Sequence, residues 1–339
     1  MTKKKALITG VSGQDGAYLA KLLIEKGYKV FGGEKRVSKK NLWRLRELDI
    51  EDKVKIIPFE LSNEANITRE IRYGNFHEIY NLAAQSYVDK SFSKPVYTSN
   101  INALGVSRIL EAIRQFSRKT KLYQASSSEM YGNVKTKRKN EETKFEPLSP
   151  YAVSKLHAHW MVNMYRNAYD LYCCSGILFN HTSPLRGEEF VTKKIISDLI
   201  KVKYNRIPCL ILGNIHVRRD WGYSVDYVEA MWKMLQLKKA EDFVISSGVT
   251  HTVKDFINKV VEILEIDLSW KGKGLNEVGI NNKTGKTIIR IHKSFFRLND
   301  IDYTYGNSLK ARKKLNWKPK TSFKTLVKIM CDAELKNYR

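Results

Sequence analysis

Long apolar runs are missing from this chain of 339 residues, and so are cysteines at a recognisable spacing. No run reaches the roughly 18 residues that a membrane-spanning helix needs, so we predict no membrane partner. Two of the four cysteines are neighbours and two are far apart, and neither metal sites nor disulfide frameworks have that arrangement. We therefore predict no metal site and a reduced, cytoplasmic protein without a signal peptide.

Acidic residues are also scarce, because 35 of them stand against 60 lysines and arginines and leave a formal net charge of +25. Such an excess is typical of proteins that bind nucleic acid. The basic residues are spread along the chain, however, with one local cluster at 135–139, and we find no nucleic-acid motif. We therefore predict a solvated basic surface that attracts anionic substrates, and no nucleic-acid partner. The alternative is a binding protein for polyanions without catalytic activity.

A glycine-rich turn lies near the amino terminus, between an apolar run and an amphipathic stretch. The sequence GVSGQDG places Gly10, Gly13 and Gly16 three residues apart. Glycines let such a turn approach a pyrophosphate closely, and the helix that follows offers unpaired N–H groups. This context predicts dinucleotide binding rather than a purely structural turn.

Apolar runs alternate with amphipathic stretches up to about residue 180. We predict strands at 4–9, 29–32, 54–58, 78–81, 121–126 and 173–179. Such alternation is typical of α/β proteins with a Rossmann-like, doubly wound parallel sheet. We therefore predict a dinucleotide-binding domain at 1–180. Residues 181–339 mix short strands, helices and loops, and we predict a smaller, mixed α/β substrate-binding domain there.

A second group of candidate residues lies between 127 and 155. Tyr151 and Lys155 are four residues apart and therefore share one face of a helix, for which the preceding Ser-Pro pair is a suitable start. A lysine one turn away stabilises a phenolate, which can then take the proton of an alcohol. The pair predicts a nicotinamide-dependent oxidation, and Glu129, close to Ser127 in SSSEMYG, predicts that a second proton is transferred.

Several stretches resemble the extended short-chain dehydrogenase/reductase family and, within it, the GDP-mannose 4,6-dehydratases. The resemblance runs nearly end to end, and its most specific blocks are YQASSSEMYG, GILFNHTSPLRG and RDWGYSVDYVEAMW. It implies a hydro-lyase that converts GDP-D-mannose to GDP-4-keto-6-deoxy-D-mannose by internal hydride transfer and loss of water. It also implies a homodimer or homotetramer, and segments after residue 180 that return to the first domain.

The resemblance implies roles for individual residues. The residues with catalytic roles are Ser127, Glu129, Tyr151 and Lys155, with Glu129 acting as both base and acid after burial has raised its pKa. Those at the cofactor are Gly10, Ser12, Gly13, Gln14, Asp15, Gly16, Lys35, Arg36, Glu60, Leu61, Leu82, Ala84, Ser86, Tyr151, Lys155, His181 and Arg186. Those at the substrate are Ser86, Ser127, Glu129, Asn180, Lys193, Arg218, Arg219 and Arg297.

The residues after the second predicted strand bear on the choice of cofactor. A carboxylate at this place binds the ribose hydroxyls of NAD, whereas a cation accommodates the extra phosphate of NADP. The family has an apolar residue and two arginines here, so the resemblance implies NADP through Lys35 and Arg36. Glu34 departs from the family pattern, and NAD is therefore the alternative.

Two departures from the family leave the substrate open. Thr182 replaces the usual Glu, and residues 298–300 read Leu-Asn-Asp instead of Pro-Thr-Glu. Another GDP-sugar, such as a GDP-heptose, is therefore an alternative substrate. A sugar-nucleotide epimerase or reductase of the same fold is a further alternative, because it would use Tyr151 and Lys155 without needing Glu129.

Overall fold

Strands and helices alternate through the computed structural model, which describes residues 3–35, 38–296 and 299–338. The strands are β1 Lys5–Thr9, β2 Lys29–Glu34, β3 Val54–Pro58, β4 Glu78–Asn81, β5 Lys121–Ser127, β6 Cys173–Leu178, β7 His181–Thr182, β8 Leu210–Leu212, β9 Arg218–Arg219, β10 Gly222–Tyr223, β11 Phe243–Ile245, β12 His251–Thr252, β13 Leu268–Lys271, β14 Val278–Asn281 and β15 Thr287–Ile291. The helices are α1 Gln14–Glu25, α2 Trp43–Glu47, α3 Glu64–Gly74, α4 Val88–Ser93, α5 Pro95–Ser99, α6 Gly105–Phe116, α7 Pro150–Tyr169, α8 Val191–Lys203, α9 Ser224–Leu235, α10 Val253–Ile263, α11 Leu309–Lys314 and α12 Phe323–Lys336.

Seven parallel strands form the large sheet, in the order β11-β6-β5-β4-β1-β2-β3. The chain runs outward from β1 to β3 and then crosses back to β4 on the other side of β1. Ligands of such sheets bind outside the carboxyl ends of the strands at this reversal. The predicted doubly wound parallel sheet is confirmed. Its edge strand β11 comes from beyond residue 180.

The six predicted strands are all present, with small differences at their ends. β3 and β4 have the predicted bounds, whereas β2 continues to Glu34 because Gly33 and Glu34 still pair with Ile57 and Pro58 of β3. β1 begins one residue later than predicted, β5 ends one residue later and β6 ends one residue earlier. The extension of β2 matters for function, because it carries Glu34 to the end of the sheet.

Both faces of the large sheet are covered by helices, which explains why its strands are buried at most positions. Successive side chains of a strand point to opposite faces. Ile8 accordingly packs into the apolar cluster that includes α1 and α9, and Leu7 packs into the cluster that includes α3, α6 and α7. Both side chains are fully buried.

A smaller four-stranded sheet, in the order β13-β14-β15-β8, lies in the second half of the chain. Its strands are antiparallel except for the β15–β8 pair. Helices α8, α10 and α12 share its apolar cluster. The mixed α/β character expected of this half is therefore present, while the domain boundary at residue 180 remains a prediction. Within the described ranges, every helix is too short or too polar to cross a lipid bilayer.

Candidate active site

The glycine turn between β1 and α1 is compact. The Gly10 N–H donates to the Gly33 carbonyl at 2.9 Å, and Gly10 has a φ of +68°, which favours glycine. A Cβ on Gly16 would lie 2.3 Å from the Gly10 carbonyl oxygen, so only glycine allows α1 to begin so close to the turn. The cap residue Gly13 offers no side-chain bond to the first amides of α1. These amides can therefore bind a diphosphate, and the turn fits a dinucleotide.

Glu34, the last residue of β2, and Lys35, which follows it, both contact other protein groups. Glu34 Oε1 accepts the Ser12 N–H of the glycine turn at 2.7 Å, and Lys35 Nζ lies 2.8 Å from Glu60 Oε1. Burial raises the pKa of Glu34, although its hydrogen bonds with Ser12 oppose that rise. The sequence-based assignment of Arg36 lies outside the described residues.

Tyr151 and Lys155 lie one turn apart on α7, as the sequence predicts. Ser149 caps this helix by accepting the Ala152 N–H at 3.1 Å, and a proline occupies its first turn. The Lys155 side chain is only 4% exposed. Its Nζ donates to the Ala125 carbonyl at 2.9 Å and lies 5.9 Å from the centre of the Tyr151 ring. Burial lowers the pKa of Lys155 to about 8.

Ser127 and Glu129 stand at the carboxyl end of β5, where the chain enters a single helical turn. The Glu129 N–H donates to Ser127 Oγ at 3.2 Å, and the Glu129 side chain is half-buried. Burial raises the pKa of Tyr151 to about 12; a hydrogen bond with Ser127 lowers it and the charge of Glu129 raises it. The three side chains are therefore close enough to influence one another.

These residues and much of the predicted cofactor site line one cleft of about 890 Å³, counting its open mouth. The predicted residues in its walls are Asp15, Leu82, Ala84, Ser86, Ser127, Glu129, Tyr151, Lys155, Asn180, His181 and Arg186. The cleft opens at the carboxyl ends of β1, β4, β5 and β6, where a doubly wound sheet binds its ligands. Alcohol oxidation and a second proton transfer could therefore take place in the same cavity.

A contact that the sequence did not predict joins the two halves of this site. His181 Nε2 lies 2.7 Å from Asp15 Oδ2, and His181 Nδ1 lies 2.8 Å from the Phe179 carbonyl. Burial alone would raise the pKa of Asp15, but the contact with His181 and the charge of Arg186 lower it overall. Strand β7, which carries His181, is thereby tied to the start of α1.

A second cleft, of about 1090 Å³, continues from the first toward the smaller sheet. Asn180, His181 and Arg186 line both clefts, and Arg219 lines the second. Strands β7 and β10 pair side by side, so the two most specific late blocks of the sequence meet here. Arg219 Nη2 forms an ion pair of 2.7 Å with Asp300, another wall residue.

Two predicted substrate residues, Lys193 and Arg218, are not among the described residues that line these walls. Lys193 Nζ lies 2.5 Å from the Glu334 carboxylate, and Arg218 donates to the Thr250 carbonyl at 2.9 Å. Neither Glu334 nor Thr250 is among the described residues of the cleft walls, so both side chains contact groups away from the clefts. Arg297 lies outside the described residues. Binding of the substrate by these three residues remains a prediction.

Sequence reasoning missed several residues in or beside the site, among them two aromatic residues and an arginine. Tyr87 and Phe190 line both clefts and meet edge to face at 6.1 Å, with Arg186 stacked 3.5 Å from the centre of the Phe190 ring. Tyr87 directly follows the predicted residue Ser86, and Phe190 lies three residues after the block GILFNHTSPLRG, so both positions gave a signal. Arg44 donates to the carbonyls of Ser12 and Leu185 at 3.0 and 2.7 Å. Nothing in its basic sequence context distinguishes Arg44 from its neighbours.

Comparisons with known proteins agree with this geometry. A family model described as GDP-mannose 4,6 dehydratase matches residues 7–330. A GDP-mannose 4,6 dehydratase of Drosophila melanogaster is 43% identical over 344 residues, covering 99% of this chain and 87% of that protein. A GDP-mannose 4,6 dehydratase of Dictyostelium discoideum is 44% identical, covering 98% of this chain and 96% of that protein. The crystal structure of dTDP-glucose 4,6-dehydratase from Bacillus anthracis in complex with NAD has a TM-score of 0.82 at 21% identity, covering 98% and 97%, and so shares the fold.

Proposed function

Because the chain belongs to the GDP-mannose 4,6-dehydratase family, we propose that it converts GDP-D-mannose to GDP-4-keto-6-deoxy-D-mannose and water. The observation that carries this proposal is the single cleft that Glu129 shares with Tyr151 and Lys155. Tyr151 and Lys155 alone would support an alcohol oxidation. The additional carboxylate supports the removal of a second proton, which a dehydration needs.

Tyr151 is the proposed base for the hydroxyl on carbon 4 of the sugar. Its pKa of about 12 in the buried site means that it holds its proton at neutral pH and needs help to release it. Lys155 provides part of that help, because an ammonium one helical turn away stabilises the phenolate. Ser127, which hydrogen-bonds to Tyr151, lowers the pKa of Tyr151 further and can orient the same hydroxyl.

Glu129 is the proposed base for the proton on carbon 5. Oxidation of carbon 4 to a ketone acidifies this proton, so a carboxylate can remove it. The protonated Glu129 then donates to the hydroxyl on carbon 6, which leaves as water. A proton from solvent replaces the one lost from carbon 5, which balances the return of the hydride to carbon 6. The position of Glu129 in the same cleft wall as Tyr151 supports both roles, since a base and acid must lie within reach of the bound sugar.

A nicotinamide dinucleotide is the proposed cofactor, and when bound it supplies the redox chemistry by accepting the hydride of carbon 4 and returning it to carbon 6. The compact glycine turn and the uncapped amides of α1 support this. The family resemblance implies NADP, with Lys35 and Arg36 at its extra phosphate. Lys35 forms an ion pair with Glu60, however, and the contact between Glu34 and Ser12 favours NAD.

The proposed reaction predicts a specific isotope pattern. Incubation with GDP-mannose in deuterated water should give a product that has lost one water and carries deuterium at carbon 5, which mass spectrometry measures. The same incubation with a GDP-heptose tests the alternative substrate, and the better substrate should be the faster one at equal concentration. A product of unchanged mass without solvent label would contradict dehydration and favour an epimerase.

A homodimer is the proposed assembly, because α5 and α7 expose large apolar side chains. Val96 on α5 is 81% exposed, and Trp160 on α7 is 53% exposed, with Val153 and Met164 on the same helix also exposed. Packing of these two helices against the same helices of a second copy would cover this surface.

Trp160→Glu is therefore expected to produce a monomer, because a dimer would bury the new charge without a partner. Sedimentation velocity should show the mass of the wild type halved. Tyr73→Glu, a similar change at a residue of α3 that is 68% exposed, is the control and should leave the mass unchanged. A monomeric wild type, with or without cofactor, would contradict the proposal.

A further inference from the structure

The carboxylate of Glu34 lies against the turn that meets a bound dinucleotide. Its Oε1 accepts the Ser12 N–H at 2.7 Å. A carboxylate has about four sites for accepting hydrogen bonds, so the main-chain and side-chain hydrogen bonds with Ser12 leave others available. Glu34 also ends β2 about 20 residues after the glycine turn, where dinucleotide-binding folds hold the residue that meets the adenosine ribose.

The main chain at Glu34 is held from both sides. The Phe59 N–H donates to the Glu34 carbonyl at 2.9 Å, and the Gly10 N–H donates to the carbonyl of the preceding residue, Gly33, at 2.9 Å. The end of β2 is therefore attached both to the glycine turn, through Gly33, and to the residue that follows β3, through Glu34. Because the main chain is held in this way, the carboxylate stays close to the ribose site.

We infer that Glu34 makes this protein select NAD over NADP, an inference that rests on the proposed nicotinamide cofactor. The hydroxyls of the adenosine ribose of NAD can donate to the free lone pairs of Glu34. NADP replaces one of these donors by a phosphate, which has no proton to give and carries negative charge. The carboxylate then loses a hydrogen bond and gains a repulsive neighbour.

In the described part of the site, the cation next to Glu34 does not cancel this repulsion. Lys35 Nζ lies 2.8 Å from Glu60 Oε1, so its charge is compensated by that carboxylate. Glu60 Oε1 also accepts the hydroxyl of Ser62 at 2.8 Å, which holds the carboxylate in place. Arg36 lies outside the described residues. Any effect of Arg36 on cofactor binding is included in the measured affinities for NAD⁺ and NADP⁺.

The test measures binding of NAD⁺ and NADP⁺ by isothermal titration calorimetry, on protein freed of nucleotide and without any GDP-sugar. The wild type is expected to bind NAD⁺ at least about tenfold more tightly, since it hydrogen-bonds one ligand and repels the other. Glu34→Gln keeps an oxygen that can accept the Ser12 N–H but removes the charge. It should shift the ratio of the two dissociation constants toward NADP⁺ by about tenfold or more.

Glu47→Gln is the matched control, because it removes the same charge from an exposed position on α2. It should leave the ratio unchanged. Wild-type protein that binds NADP⁺ as tightly as NAD⁺ would overturn the inference, as would a Glu34→Gln ratio equal to that of the wild type. Failure to bind either dinucleotide would overturn the proposed cofactor as well, whereas a failure with GDP-mannose alone would leave the selectivity standing.

Discussion

Tyr151→Phe is expected to lower turnover of the GDP-sugar by on the order of 10⁴-fold, the upper end for loss of a general base. Without the tyrosine hydroxyl, the proton of the hydroxyl on carbon 4 has no acceptor at that position, so the ketone does not form. Every later step depends on that ketone. Neither a change in nicotinamide absorbance nor deuterium at carbon 5 should therefore be observed in single-turnover experiments. Binding of the GDP-sugar should change little, because only one oxygen atom is removed.

Tyr169→Phe is the control for this prediction, since Tyr169 lies at the far end of the same helix. It should retain wild-type turnover.

The pH profile of kcat/KM adds an independent check. Below about pH 8, kcat/KM should rise about tenfold per pH unit, because the deprotonated fraction of Tyr151 rises by that factor. Above that pH, Lys155 also loses its proton, and the rise should level off. Substantial turnover by Tyr151→Phe would show that another group is the base.

Glu129→Gln is expected to separate oxidation from dehydration. The amide cannot remove the proton on carbon 5 or protonate the hydroxyl on carbon 6, so loss of water should fall by about 10³-fold or more. Tyr151 and Lys155 remain, and oxidation of carbon 4 should still occur. Single-turnover measurements should therefore show reduced nicotinamide accumulating on the enzyme, with little release of the dehydrated sugar.

Glu142→Gln is the matched control for Glu129→Gln, because it alters an exposed carboxylate in the loop after β5. It should behave as the wild type. Unimpaired dehydration by Glu129→Gln would contradict the role of this carboxylate, and unimpaired turnover without loss of water would favour an epimerase or reductase. The two catalytic variants thus differ in a measurable way: Tyr151→Phe should block both steps, and Glu129→Gln should block only the second.

Local features of the fold were predictable because short-range chemistry determines them. The start of α7 follows from a serine that can cap a helix and a proline that suits its first turn, and the structure contains both. The glycine turn is similar, because a side chain at Gly16 would collide with the backbone of the turn itself. Buried parallel strands were recognisable as apolar runs, although their ends shifted by one or two residues.

Contacts between distant parts of the chain were not predictable in the same way. The pair formed by Asp15 and His181 spans 166 residues, and the ion pair of Arg219 with Asp300 spans 81. No periodicity or local preference encodes such distances. The ion pair of Lys193 with Glu334 spans 141 residues and was likewise not predictable from the sequence.

The sequence by itself determined the type of sheet, the glycine turn and the spacing of Tyr151 and Lys155, because each depends on residues close together in the chain. Only the tertiary structure decided that Glu129 shares a cleft with that pair and that Glu34 lies against the glycine turn. Parallel strands explain the difference. Their carboxyl ends meet at one edge of the sheet, so residues far apart in sequence come together there through hydrogen bonds between strands.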